Sequence, residues 1–231
     1  MKIYKHIFFD LDHTIWDFDT NSRLTLQELF EEHHLQERGI DLFERFYKVY
    51  VAINSQYWAR YHKGDIKKEK MRVGRFNDSL RYFGIQDWAL ASALSEAYMT
   101  RSPYKTQLFA NALVTLDYLS KKYPLHLITN GFSEVQYIKL KESGIQHFFQ
   151  YIFISDEVGF QKPAPEIFLH ALAKTACLPQ DAIMIGDNMN TDIMGAMSVG
   201  IDQIYFNPRG QRVRDQPTYI IHDLMELKAL L

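Results

Sequence analysis

Short runs of apolar residues alternate with longer amphipathic stretches along most of the chain. The short runs are rich in Ile, Leu, Phe and Tyr, which is typical of buried strands. They span residues 3–9, 125–128, 151–154, 182–185, 204–206 and 219–221. Between them apolar residues recur at helical spacing, as at Leu113, Leu116 and Leu119. Strands that alternate with helices predict an α/β fold whose parallel sheet is covered on both faces.

The stretch from residue 16 to residue 103 interrupts this alternation, because it contains no convincing strand. Apolar and aromatic residues keep helical spacing in four segments there, which begin near Leu24, Phe43, Ile66 and Trp88. The simplest architecture is a Rossmann-like three-layer core formed by residues 1–15 and 104–231. Residues 16–103 would then form a helical cap that is inserted after the first strand.

The composition is that of an ordinary globular protein. Apolar residues make up 47% of the 231 residues and charged residues 23%, which excludes a collagen-like or disordered chain. The formal net charge of −2 lacks the basic excess of a nucleic-acid binder. Cys177 is the single cysteine, so no intramolecular disulfide can form, and a reducing compartment is favoured.

No apolar run has the length of a signal-peptide core or of a membrane span. We therefore expect a cytoplasmic protein without a membrane or nucleic-acid partner. The sequence identifies no oligomer interface.

Polar residues follow the predicted strands at the edge of the sheet where parallel α/β folds bind ligands. They are Asp10 and Asp12 after the first strand, Thr129 and Asn130 after the second, Lys162 after the third, and Asp187 and Asp192 after the fourth. Taken singly, each fits a turn, a helix cap or a solvated loop. Their common position at strand ends predicts a single site.

The residue types at these strand ends suit phosphate-ester chemistry. Asp10 and Asp187 would bring two carboxylates together, and such hard oxygen donors favour Mg²⁺ over a structural zinc ion. Asp10 can attack phosphorus as a nucleophile. Asp12 can protonate the leaving oxygen and then accept a proton from water, as a general acid and base.

The remaining polar residues can bind the phosphoryl group. The Thr129 hydroxyl and the Asn130 backbone amide can donate hydrogen bonds to its oxygens, and Lys162 adds positive charge. Asp192 can hold Lys162 by a charge-assisted hydrogen bond. The predicted partner is a small-molecule phosphate ester.

These four motifs, in this order, resemble those of the haloacid dehalogenase-like hydrolase superfamily. The resemblance implies that Asp10 is the nucleophile, that the backbone carbonyl of Asp12 joins Asp10 and Asp187 as a Mg²⁺ ligand, and that the insert is the family's first-position (C1) cap. Dehalogenases lack an acid at the position of Asp12, because a halide needs no proton donor. The chain is therefore similar to the phosphatases of the superfamily.

A closer resemblance is to the pyrimidine 5′-nucleotidase subgroup. It rests on residues 16–19 and 128–132 and, in the cap, on Trp58, Tyr61, Gly64, Ile66, Arg75 and Phe76. It implies a nucleoside 5′-monophosphate substrate such as dUMP or dTMP. Phe18 could then stack on the base, since aromatic stacking tolerates any base. The helical spacing of Tyr47, Tyr50, Tyr57 and Tyr61 instead favours burial in the cap for most of these rings.

Two alternatives stay open at this point. The first is a phosphatase or mutase for a small sugar phosphate, in which water or a sugar hydroxyl accepts the phosphoryl group from Asp10. The second is a non-catalytic regulatory protein that binds a phosphate ligand, although such a protein would be expected to have lost one of the key residues. Arg209, Arg212 and Arg214 form a small basic cluster in a loop, where a solvated surface is favoured.

Overall fold

The computed structural model describes residues 2–213 and 216–231, and the contacts within it divide the chain into two compact units. The first unit extends to Phe18 and resumes at Thr106, and the second unit is Asp19–Lys105. Residues 16–18, which the sequence assigned to the insert, belong to the first unit. The reason is that the Trp16 side chain is completely buried in the core of that unit.

The first unit is built on a six-stranded parallel sheet with the order β3-β2-β1-β4-β5-β6. The strands are β1 (His6–Phe9), β2 (Leu125–Thr129), β3 (Phe149–Ile154), β4 (Ala182–Gly186), β5 (Asp202–Phe206) and β6 (Tyr219–Ile221). Every predicted strand is present, and the predicted α/β class with a parallel sheet is confirmed. The chain passes from β3 across β1 to β4, so the topological switch point lies between β1 and β4.

Helices cover both faces of this sheet. Side chains alternate across β1, so that Ile7 and Phe9 join one apolar cluster and Phe8 joins the other. The first cluster includes residues of α5 (Ala112–Ser120), α6 (Ser133–Glu142) and α10 (Leu227–Leu230). The second includes residues of α8 (Pro165–Thr175) and α9 (Met194–Ser198). The short helix α7 (Ser155–Val158) follows β3 directly. This arrangement is the predicted three-layer core.

The first unit holds the two ends of the insert together with its own backbone. The Asp17 amide donates to the Gln107 carbonyl at 3.0 Å, and the Phe109 amide donates to the Ile15 carbonyl at 3.0 Å. Trp16 and Leu108 form an antiparallel bridge between these two bonds. The outgoing and returning segments are therefore paired side by side.

The second unit contains the four predicted helices. They are α1 (Phe18–Glu32), α2 (Phe43–His62), α3 (Lys68–Tyr82) and α4 (Trp88–Arg101). Tyr50 and Tyr57 are buried, whereas Tyr47 and Tyr61 are partly exposed. The interpretation of the tyrosine spacing as a core pattern therefore holds for Tyr50 and Tyr57.

Arg75 of α3 is a buried cation within the helical unit. Its guanidinium donates to Asn54 Oδ1 at 2.8 Å and lies 5.0 Å from the ring centroid of Tyr98. In the described part of the chain no carboxylate pairs with it, and its Nε has no hydrogen-bond partner. The aromatic rings around it offset part of the cost of burying the charge.

The basic cluster predicted near the last two strands is described in part. Arg209 and Arg212 are exposed, and Arg214 lies outside the described residues. Within the described ranges, no helix has both the length and the apolar character that crossing a bilayer requires.

His126 on β2 is a buried histidine that lies among aromatic rings. Its Nε2 lies 2.9 Å from Nδ1 of His6, and its ring packs against Phe8 and Tyr151. Burial, assisted by the neighbouring His6, lowers the pKa of His126 to about 4. The unfolded chain therefore binds a proton near pH 6.5 that the folded protein does not bind until about pH 4.

We expect His126 to make folding less favourable as the pH falls from 6.5 to about 4. Its contribution over that window is up to roughly 3 kcal/mol. The variant His126→Phe keeps an aromatic ring and cannot be protonated, so its free energy of unfolding should depend less on pH. Urea unfolding at several pH values measures this difference. The exposed His170→Gln variant is the control, and equal pH dependence in wild type and His126→Phe would contradict the prediction.

Candidate active site

Asp10, directly after β1, lies in a buried ionic cluster. Its Oδ1 is 2.6 Å from Nζ of Lys162, and the same Nζ is 2.6 Å from Oδ1 of Asp192. Lys162 also donates to the Ile128 carbonyl at 2.8 Å. All three charged side chains are buried. The structure thus places one ammonium between two carboxylates that come from the ends of β1 and β4.

Asp187 brings a third carboxylate to this cluster. One carboxylate oxygen from each of Asp10, Asp187 and Asp192 lies within 4.8 Å of the other two. The Thr14 hydroxyl lies 3.3 Å from Asp10 Oδ2 and 3.4 Å from Asp187 Oδ1, and it can donate to either. Thr14 was not assigned to the site from the sequence. The structure shows that it contacts both carboxylates.

The charges in the cluster shift the pKa values of its members. Burial raises the pKa of Asp10 to about 7, although the Lys162 ammonium opposes the shift. Burial, together with the charges of Asp192 and Asp10, raises the pKa of Asp187 well above its ordinary value. Burial alone would lower the pKa of Lys162, but Asp10 and Asp192 outweigh it and raise that pKa. Three carboxylates therefore share a single ammonium.

This donor set fits a hard divalent cation. The three residues offer only carboxylate oxygens, which Mg²⁺ prefers, and no imidazole or thiolate belongs to this group. A cation here would offset the burial of the Asp10 and Asp187 charges and the repulsion between them, which together raise the two pKa values. Both oxygens of Asp192 have partners, Oδ1 in Lys162 and Oδ2 in the Asn188 amide at 3.0 Å. Lys162 contacts Oδ1 of Asp10 and leaves Oδ2 for a cation, so Asp10 and Asp187 are the better candidates for ligands.

The carboxylate of Asp12 lies outside this acidic group and has its own partners. Its Oδ1 is 2.6 Å from Nζ of Lys139, and its Oδ2 accepts a hydrogen bond from Gln136 Nε2 at 2.9 Å. Burial alone would raise the pKa of Asp12, but the Lys139 charge and the hydrogen bonds from Lys139 and Gln136 hold it below its ordinary value. These contacts stabilise the carboxylate form of Asp12 and so make its carboxyl group a stronger acid.

Sequence reasoning did not identify Gln136 and Lys139 as site residues. Both are buried on α6, three residues apart and hence on the same side of the helix. Gln136 Nε2 also donates to the Thr129 hydroxyl at 2.7 Å. A Cβ atom at Gly131 would collide with the Gln136 side chain, so a glycine there leaves room for it. The three-residue spacing of Gln136 and Lys139 indicates that they share one side of the helix. It does not predict burial, because polar and charged residues on a helix are normally exposed.

Asn130 is held by bonds that the sequence did not predict. Its Nδ2 donates to the Lys162 carbonyl at 2.8 Å, and its Oδ1 accepts from the Lys162 amide at 2.7 Å. These two bonds fix the backbone of the loop that carries Lys162. The backbone amide of Asn130 remains the group predicted to bind phosphate.

Phe18 lies half-buried at the end of the first unit. Its ring centroid is 4.8 Å from that of His13 and 6.1 Å from that of Trp16. The Lys139 ammonium lies 5.6 Å from the same ring. Phe18 is therefore packed close to the partners of Asp12, and its predicted role in base stacking stays a prediction.

The fold and the site thus define a protein of the parallel α/β class that carries paired carboxylates and a buried lysine beside the switch point of its sheet. Residues 7–206 match the family model described as haloacid dehalogenase-like hydrolase, and the chain belongs to this family.

Proteins similar to this chain include hydrolases, nucleotidases and phosphatases. The HAD-hydrolase YfnB of Bacillus subtilis (strain 168) is 32% identical over 237 residues, which cover 100% of this chain and 97% of YfnB. The orthorhombic crystal structure of YfnB bound to magnesium matches this chain with a TM-score of 0.88 at 31% identity, and the match covers 99% of each chain.

Two further relatives are named for their substrates. The pyrimidine 5′-nucleotidase PynA of Streptococcus pneumoniae (strain ATCC BAA-255 / R6) is 30% identical over 228 residues, covering 97% of this chain and 93% of PynA. The glyceraldehyde 3-phosphate phosphatase of Methanothermobacter thermautotrophicus is 31% identical over 237 residues, covering 98% and 99%. With the family, these relatives confirm the prediction of a phosphatase-type enzyme.

Proposed function

We propose that this chain is a Mg²⁺-dependent phosphomonoesterase that hydrolyses pyrimidine nucleoside 5′-monophosphates through a phosphorylated Asp10. The observation that carries the chemistry is the buried Asp10 carboxylate, which is paired with Lys162 and lies within 4.8 Å of Asp187. The relative PynA, a pyrimidine 5′-nucleotidase, supports the choice of substrate.

In the first step a carboxylate oxygen of Asp10 attacks phosphorus, and the bond from phosphorus to the ester oxygen breaks. In its protonated form Asp12 gives a proton to that departing oxygen, which leaves as the alcohol of the nucleoside, and Asp12 becomes the carboxylate that Lys139 and Gln136 stabilise. In the second step water attacks the phosphorus of the aspartyl-phosphate and gives a proton to Asp12. Inorganic phosphate leaves, and Asp10 is free again.

The other residues of the site stabilise charge on the transferring group. Lys162 supplies a fixed ammonium next to Asp10, and the Thr129 hydroxyl and the Asn130 amide can donate to phosphoryl oxygens. Mg²⁺ held by Asp10, Asp187 and the Asp12 carbonyl would add positive charge that screens the anionic substrate from the carboxylates. Asp192 keeps the Lys162 ammonium in place.

A second candidate is a phosphatase for a small sugar phosphate. The relative at 31% identity that is named glyceraldehyde 3-phosphate phosphatase favours it. The same catalytic residues would serve both substrates, because the phosphoryl group is common to them. The two candidates differ only in the alcohol that leaves.

Phosphate release with Mg²⁺ from a substrate panel tests both candidates. The panel contains dUMP, dTMP, UMP, CMP, dAMP, glyceraldehyde 3-phosphate, glucose 1- and 6-phosphates and p-nitrophenyl phosphate. We expect the highest kcat/KM for the pyrimidine monophosphates. A preference for sugar phosphates would overturn the nucleotidase assignment and leave the catalytic assignment intact. No release from any compound, with or without EDTA, would favour a non-catalytic binding protein.

A further inference from the structure

The carboxylate of Asp12 is held by donors from a single helix. Lys139 contacts Oδ1 at 2.6 Å and Gln136 contacts Oδ2 at 2.9 Å, so each oxygen has its own donor. Both donors project from the same face of α6. Contacts to both oxygens fix the rotation of the carboxylate as well as its position.

Lys139 is a costly residue at this place. Its side chain is 5% exposed, and Asp12 is its ion-pair partner. Its ammonium otherwise lies over the Trp16 ring at 4.3 Å and the Phe18 ring at 5.6 Å. An apolar side chain in such surroundings would avoid the cost of desolvating a charge, so stability alone does not explain a lysine here.

The Gln136 side chain also has an energetically unfavourable feature, which its contacts with the site explain. Its Oε1 is buried and has no hydrogen-bond partner, which is unfavourable for an amide oxygen. The amide is oriented so that Nε2 donates to both Asp12 and the Thr129 hydroxyl. Gln136 thus connects the loop after β1 with the end of β2 through a single nitrogen.

We propose that Lys139 and Gln136 are positioning residues that hold the Asp12 carboxyl group in register with the phosphoryl-binding end of β2. They act through Asp12 and do not themselves contact the reacting atoms. Their role is to keep Asp12 in place to deliver a proton to a poor leaving group. This inference rests on the proposed function, because it presupposes that Asp12 is the acid and base of a phosphatase.

The test compares two substrates whose leaving groups differ in their need for a proton. A nucleoside alkoxide must be protonated as it departs, whereas p-nitrophenolate leaves without help. The value of kcat/KM reports the steps up to the formation of phosphorylated Asp10. A residue that positions the acid should therefore affect kcat/KM for the nucleotide selectively, and a residue that only supports the fold should affect both substrates equally.

We expect Lys139→Met to lower kcat/KM for dUMP by about 100-fold, within the range attributed to general acid catalysis. The same variant should change kcat/KM for p-nitrophenyl phosphate by less than about 3-fold, because that step needs no acid. Lys139→Arg keeps a cationic donor, so its loss of kcat/KM for dUMP should be smaller than that of Lys139→Met. Gln136→Met removes the second donor and should show the same selectivity, which keeps the test open if one variant folds poorly. The matched control is Lys141→Met, an exposed lysine on the same helix.

Equal losses for both substrates, or no loss for either, would overturn the positioning role while leaving the phosphatase assignment in place. A wild-type protein that releases phosphate from neither substrate would refute the proposed function, and the positioning role with it.

Discussion

Replacement of Asp10 by asparagine should abolish phosphate release and leave the protein folded. The amide has nearly the same shape as the carboxylate, but its nitrogen and carbonyl oxygen are poor nucleophiles, so aspartyl-phosphate cannot form. Lys162 would keep Asp192 as a partner, and the repulsion among the carboxylates would decrease. We expect kcat to fall by about 10⁴-fold or more, as for the loss of other nucleophiles. Phosphate release from the best substrate of the panel measures this loss.

The control for this variant is Asp117→Asn, which changes an exposed carboxylate paired with Lys121. It should retain wild-type turnover. Circular dichroism and thermal unfolding establish that both variants are folded. Normal phosphate release by Asp10→Asn would rule out the covalent route through this residue.

Asp187→Asn should have opposite effects on metal binding and on the stability of the metal-free protein. The pKa values of Asp10 and Asp187 are raised mainly by burial and in part by repulsion among the carboxylates. Removal of one buried charge relieves both costs, so the metal-free variant should unfold at the same temperature as the wild type or higher. It also removes a carboxylate ligand. The concentration of Mg²⁺ needed for half-maximal activity should therefore rise by about 100-fold, which corresponds to a loss of about 3 kcal/mol of binding free energy.

Thermal unfolding with and without Mg²⁺ separates these two effects. Ligand binding to the folded state raises the unfolding temperature of the wild type, and at 100 times Kd the gain is about 2.7 kcal/mol. The variant should lack this gain at the same Mg²⁺ concentration. Asp181→Asn, a surface carboxylate paired with Lys5, serves as the control. An unchanged Mg²⁺ titration of Asp187→Asn would mean that the metal binds elsewhere.

The sequence was sufficient to predict the backbone framework of the site. Buried strands give compact apolar runs, and parallel strands bring their carboxyl ends to one edge, so the positions of Asp10, Thr129 and Asp187 followed from the pattern. The predicted insert spans residues 16–103, whereas the contacts group Asp19–Lys105 as the helical unit. Trp16 lies beyond the first strand, and only tertiary packing shows that its ring belongs to the core.

Side-chain contacts made after the chain has folded were not predictable in the same way. Lys139 and Gln136 lie on a helix in which the spacing of apolar residues gave the only periodic signal. A polar or charged residue between such apolar positions is normally exposed to solvent. The hydrogen bonds from the Asn130 side chain to the Lys162 backbone join residues that are 32 positions apart. No local pattern reports such a bond, because it depends on where two loops meet.

The pairing of the outgoing and returning segments, in which Asp17 bonds to Gln107 and Phe109 bonds to Ile15, has an evolutionary consequence. Backbone hydrogen bonds of this kind do not depend on side-chain identity, and they keep the two attachment points of the insert at a constant separation. Mutation can therefore lengthen, shorten or replace the intervening helices without shifting the strand that carries Asp10. The helical unit is in this way free to diverge in sequence while the arrangement of carboxylates at the edge of the sheet is preserved.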